Sequence, residues 1–197
     1  MLGRRSSPNY IIYCLILQID SATCYLVLRH DVHYFSMADQ EMIQEKIGEA
    51  LGLEKAAQKA VKDLDTRGLL KPEHMKKLSK MREEASQQEE EMQDIVKDLV
   101  ESDGFDQETI DEKAEETAEK ASKMMKTYLG DEPDTQEALE FLCLAEGAEV
   151  THYEVLNSVS KDVKNKKFGT KVRSILSEEK RHLSLCTKLA KDNAASA

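Results

Sequence analysis

The chain has no tryptophan, only three prolines, and aromatic residues at 5% of its length. It is also poor in β-branched runs and in turn residues, so sheet architectures lack their usual material. Cysteine is scarce: the four stand at 14, 24, 143 and 186 with no CxxC spacing. That excludes a disulfide-dense framework and makes a reducing, cytoplasmic setting the expectation. No basic cluster offsets the net charge of −10. Nucleic-acid binding, which needs Lys and Arg to displace counterions, is therefore not expected. Nor is there an apolar run of the ~20 residues that span a bilayer. What is present is charge, at 34% of residues, carried by a mixture of Glu and Lys with Ala and Leu that favours helix. At 197 residues the chain is long enough for one domain with a sizeable core.

Residues 1–36 differ from the rest. They hold four of the six tyrosines (Tyr10, Tyr13, Tyr25 and Tyr34) and two of the cysteines. The run Tyr10-Ile-Ile-Tyr-Cys-Leu-Ile-Leu17 follows Arg4 and Arg5 and imitates a signal peptide, but no small-residue cleavage site follows cleanly. Met37 then opens a continuous helical pattern. Met37 is expected to be the natural start, with 1–36 an upstream or disordered extension; a signal anchor is the alternative. Residues 193–197 are expected to form a disordered tail.

From 37 to 192 the apolar residues recur at alternating spacings of three and four, the mark of packed helices. The first stripe is Ile43, Ile47, Ala50, Glu54, Ala57, Val61 and Leu64, closed by Gly68. Pro72 sits where a first turn tolerates it. The second stripe is Leu78, Met81, Ala85, Gln88, Met92, Ile95 and Leu99, stopped at Asp103-Gly104. A shorter helix over about 107–129 has Ile110, Ala114, Ala118, Ala121, Met125 and Tyr128 on one side, and Gly130 to Pro133 break it. Asp134-Thr-Gln-Glu137 is a capping box. It opens a stripe of Ala138, Leu142, Ala145, Glu149, His152, Leu156, Val159 and Val163. The last stripe is Val172, Leu176, Glu179, His182, Cys186 and Leu189. Two short connections make two hairpins, and a long crossover containing the shorter helix joins them. The expected fold is all-α, a ferritin-like antiparallel four-helix bundle.

The stripes break with ligand-type residues. Buried charge costs several kcal/mol unless it is paired or bound to metal. Two units, Glu149-Val-Thr-His152 and Glu179-Lys-Arg-His182, set a carboxylate and an imidazole three residues apart on one helical face. With the last turn centred between Asn165 and Lys166, Glu149 falls level with His182, and His152 with Glu179. A first turn near Leu69 places Glu54 level with Glu84, and Gln88 about a turn beyond. Glu54, Glu84, Glu149, His152, Glu179 and His182 are the expected metal ligands. Carboxylates would bridge two ions and imidazoles would cap them. Glu146 and Glu154 are rival carboxylates. Gln88 is better suited to donate a hydrogen bond to a ligand than to be one. His74 reads as a solvated first-turn residue, and Cys143 and Cys186 as small hydrophobes. Met81, Met92, Met124 and Met125 read as core filling.

Ala148-Glu-Val-Thr-His152-Tyr153-Glu154-Val-Leu156, with its His-Tyr-Glu triplet, resembles a helix signature of the ferritin-like superfamily, most closely its YciE/YciF-type stress-associated branch. Ser177-Glu-Glu-Lys-Arg-His182-Leu is similar to that branch's last helix, and Arg82-Glu-Glu-Ala-Ser-Gln-Gln88 to its second. Gln88 departs from the pattern, which has a histidine there. The resemblance spans about residues 43–190. It implies the ferritin-like fold and a bound metal, not a substrate. The leading expectation is a di-iron site, or an iron/manganese one, reacting with O₂ or peroxide in oxidative or metal stress. Metal ions and small oxidants would be the partners, with no membrane or nucleic acid, and a homodimer is expected. The alternative is a metal-free helical bundle acting as a structural or dimeric interaction protein.

Overall fold

The computed structural model describes residues 37–196; the expectations for residues 1–36 lie outside them. Five helices account for nearly all of that span, and no strand occurs among the described residues. They are α1 (Met37–Thr66), α2 (Pro72–Asp103), α3 (Gln107–Leu129), α4 (Thr135–Val159) and α5 (Lys166–Ala194), with a 3₁₀ turn at Ser160–Asp162. No helix among the described residues is long and apolar enough to cross a membrane.

The helix ends follow local chemistry. Pro72 occupies the first turn of α2, and Gly104 closes that helix at φ +72°, a left-handed conformation that glycine adopts without steric cost. Asp134 accepts from the Glu137 amide while Glu137 reaches back to the Asp134 amide, completing the capping box of α4. Asn165 caps α5 by accepting from the Lys167 and Phe168 amides. At its other end α5 runs past the expected boundary. Asn193 is buried, accepts from Lys71 Nζ at 2.8 Å and donates to Gln136 Oε1 at 2.9 Å. The expected tail is therefore helical through Ala194.

Side-chain contacts give the helix directions. Lys71 meets Asn193, Met81 meets Cys186, Gln88 meets Glu178 and Lys171 meets Glu91, so α2 and α5 run antiparallel. Tyr153 reaches Glu54, and α1 lies close to α4 as well as to α2. The crossover helix α3 lies against α1. A Cβ built on Gly48 would come within 2.6 Å of Ile110 O, and one on Gly52 would collide with Ala114 O. The missing side chains let the two backbones approach, and the paired positions advance together, so α1 and α3 run parallel. Buried Ile47, Leu64, Leu78, Met92, Leu139 and Leu142 belong to the apolar core.

Five expectations are corrected here. Val96 rather than Ile95 is buried on α2. Met124 is not core: it is 69% exposed, and Tyr128 is exposed too. His74 is buried instead of solvated, and burial pushes its imidazole below its ordinary pKa. On α4 the buried stripe is Leu142, Glu146, Glu149, Tyr153 and Leu156. It is shifted by one residue from the expected path at Glu146 and Tyr153.

Candidate metal centre

At one level of the core, between apolar turns, five ionisable side chains are nearly inaccessible. Glu54 comes from α1, Glu146 and Glu149 from α4, and Glu179 and His182 from α5; none is more than 3% exposed. Helical periodicity explains the set. Glu146 and Glu149 are three residues apart, as are Glu179 and His182, so each pair shares one face of its helix. Leu142 and Leu156 lie a turn or two to either side on α4, as Ile175, Leu176 and Cys186 do on α5, and all are buried.

The ligand atoms fall into two trios. Those of Glu54, Glu149 and Glu179 lie within 4.8 Å of one another, and so do those of Glu146, Glu179 and His182. Glu179 belongs to both. Few of these atoms are otherwise engaged. Glu54 Oε2, Glu146 Oε2, Glu149 Oε1 and both oxygens of Glu179 are buried without a hydrogen-bond partner. His182 Nδ1 is 3.4 Å from Glu179 Oε1 and 3.8 Å from Glu146 Oε2, close enough for charge attraction. Comparison with family models, curated proteins and solved structures finds no match.

Neighbouring groups hold the set in place. The Tyr153 hydroxyl donates to Glu54 Oε1 at 2.9 Å and is itself fully buried. On the other side His182 Nε2 is bonded to Glu84 Oε2 at 3.0 Å, and Glu84 is about a quarter exposed. Gln88 is buried, donates to Glu178 Oε2 at 2.8 Å, and leaves its own Oε1 unpartnered.

The electrostatics follow from this crowding. Burial, reinforced by neighbouring carboxylates, pushes Glu54 and Glu149 well above the usual carboxylate range and Glu146 up to about 8. Burial opposes charge on His182, but Glu179, Glu84 and Glu146 outweigh it and hold that imidazole at about 9. The bond from His182 keeps Glu84 below its ordinary value. Tyr153 is pushed up by burial and by Glu54.

Of the six expected ligands, Glu54, Glu149, Glu179 and His182 are brought together. Glu84 touches the set through His182 from its rim. His152 does not join. Its Nδ1 bonds the Ala148 carbonyl at 2.8 Å and its Nε2 faces Glu49 at 3.6 Å, beside the seam. The reason is the shifted stripe of α4, which turns Tyr153 inward in its place. Glu146, weighed from the sequence only as a rival, is a full member, and Glu154 instead pairs with Lys180 at the surface. Tyr153 enters the sequence reading only within the His-Tyr-Glu triplet, not as a site residue. Its position four residues after Glu149, in a chain with so few aromatics, was the available signal.

The donor set fits a hard or borderline divalent cation: several carboxylate oxygens with one imidazole, pre-grouped and unpartnered. The buried acidic and histidine groups could therefore hold a metal.

Proposed function

We propose that this chain is a ferritin-like non-haem metal protein holding two iron ions, or iron with manganese, and reacting with O₂ or peroxide. The observation that carries the reading is Glu179, whose two unpartnered oxygens stand between two trios of buried ligands. A carboxylate shared by two positions is what a paired-metal site requires. A metal-free interaction bundle would have to keep five carboxylate oxygens buried and unpaired, at several kcal/mol. The antiparallel pairing of α2 with α5, and a crossover helix between two hairpins, support the ferritin-like arrangement and the resemblance to its stress-associated branch.

Glu54 and Glu149 would hold one position, Glu146 and His182 the other, with Glu179 common to both. Bound iron would supply one-electron redox chemistry toward the oxidant. The chain's own residues orient and enclose it. Tyr153 fixes one oxygen of Glu54 and leaves the other available, and Glu84 fixes His182 through Nε2 so that Nδ1 faces the cluster. The apolar residues above and below close the seam on those two sides.

Metal analysis after aerobic purification tests the reading. The native chain is expected to carry about two ions. Glu179→Ala is expected to carry almost none, His182→Ala a reduced load, and His152→Ala the native load. Equal trace metal in all four proteins would end the proposal.

A further inference from the structure

A cavity of about 370 Å³ opens between α1, α3 and α4. Its lining is mostly apolar, with Ala57 and Ala60 on α1, Met125 on α3, and Phe141 and Ala145 on α4. Among the described residues five large hydrophobic side chains are exposed, and three of them, Met124, Tyr128 and Leu144, surround it. Among the described residues this is where exposed apolar surface concentrates.

The cavity has direction. Along α1 it runs from Leu53 to Thr66 and on to Arg67 in the following turn, and on α4 from Glu149 to Phe141. At about 1.5 Å per helical residue, the α4 wall covers roughly 12 Å. Glu149 marks one end, and its Oε1 is both buried and unpartnered. Arg67 lies toward the opposite end, just past the last residue of α1, where the parallel packing of α3 also brings Lys126, with Lys59 between the ends. Among the described residues none of these three cations forms an ion pair. Asp63 is the one carboxylate lining this stretch of α1. The wall is thus locally cationic in a chain of net charge −10.

We infer that this trough binds an amphipathic organic anion, with its head at Arg67 and Lys126 and its apolar end toward Glu149. The reverse orientation would carry the anionic head away from Arg67 and Lys126 and into the apolar, low-dielectric end of the trough. The size suits a small molecule: a cavity of about 150 Å³ takes a benzene ring, and this one holds an apolar body roughly twice as large. Delivery of that apolar end to the reacting metal rests on the proposed function; the binding itself does not.

Decanoate is the probe, titrated calorimetrically into the full-length chain with and without metal. Saturable one-to-one binding is expected, at least tenfold tighter than that of decyltrimethylammonium, and weaker for hexanoate. Leu144→Asp, at an exposed position that the fold tolerates, is expected to weaken decanoate binding at least tenfold with an unchanged melting temperature. Arg67→Glu combined with Lys126→Glu is expected to reverse the preference between the two head groups. Absent binding, or binding indifferent to Leu144→Asp, overturns the inference. So does a dimer that Leu144→Asp dissociates and that takes no decanoate, since the face is then an interface between copies. Decanoate binding to a chain that loads no metal would leave the trough standing and remove only the metal reading. In metal-loaded protein, decanoate is expected to shift the metal's absorption bands. Tight binding with an unchanged spectrum overturns the delivery.

Discussion

Tyr153 decides which oxygen of Glu54 is free. Its hydroxyl holds Oε1 at 2.9 Å, and Oε2 is left without a partner among the ligand atoms. Tyr153→Phe keeps the ring's packing and removes that bond. The expected loss is about 1–2 kcal/mol of stability in the metal-free chain, because a buried acceptor is stranded. The measurement is a denaturant midpoint at constant slope. An unchanged midpoint would mean that the bond contributes nothing. The same residue shows the limit of sequence reading on α4. In a repeat of three and four, each buried position has a competitor one residue away, and His152 and Tyr153 are adjacent. The Glu-x-x-His spacing favoured the histidine. Packing placed the phenol inward, where a buried, uncharged aromatic ring with one donor suits Glu54, and left the imidazole to its own helix's carbonyl. On α5 the equivalent unit stayed in register: Arg181 is exposed and Leu183 only half-buried, and His182 takes the buried position between them.

Among the elements, α3 was the hardest to place from sequence. A long crossover is compatible with many positions, and its apolar side, rich in alanine, says little about which neighbour it meets. Gly48 and Gly52, four apart on α1, carried the answer, since they remove the side chains between two backbones. Gly52→Ala would drive a methyl group into Ala114 O. It is expected to destabilise by about 1–3 kcal/mol, the usual cost of overpacking. Gly147 on α4 gives the contrasting case, because a Cβ there meets nothing within 4 Å. Gly147→Ala is expected to stabilise by about 0.5–1 kcal/mol through lower backbone entropy in the unfolded chain. Thermal unfolding of the two variants beside the native chain checks both signs. Equal effects would contradict the close packing of α1 on α3. The boundaries from α1 to the start of α4, by contrast, were legible, because Gly68, Pro72, Gly104 and the Asp134–Glu137 box act within a few residues of themselves, whereas the ends of α4 and α5 carry no such signal.

For the whole molecule, the buried acids tie stability to pH. Glu146 rises from an ordinary 4.5 to about 8, and His182 from 6.5 to about 9. Glu54 and Glu149 are raised as well. A group whose folded pKa is raised binds its proton more tightly in the native state. Its contribution is complete below the unfolded value and is lost as pH climbs through the folded one. All four groups therefore act in the same direction. The chelator-treated chain is expected to be most stable near pH 4.5, the unfolded carboxyl value, and to weaken up to about pH 9, by on the order of 10 °C in Tm. Metal should reverse this trend, since ligation replaces those protons and strengthens as they leave. Scanning Tm against pH with chelator and then with ferrous iron tests it. A flat profile in chelator would contradict the burial of charge.

Sharing Glu179 between two trios also has a consequence for charge balance. The four buried carboxylates, when ionised, carry −4, and two divalent ions carry +4. The filled core is then neutral with His182 uncharged. One ion leaves −2 in a space that solvates it poorly, and a proton on His182 reduces that only to −1. The empty core avoids that charge by keeping protons on its raised carboxyls, and the filled core by its second ion, so the first ion, once it has displaced those protons, should draw in the second. Loading is expected to be sigmoidal, with singly occupied chains scarce in native mass spectra taken across a titration. Two independent, equal steps would mean that the trios fill separately despite their common oxygen donor.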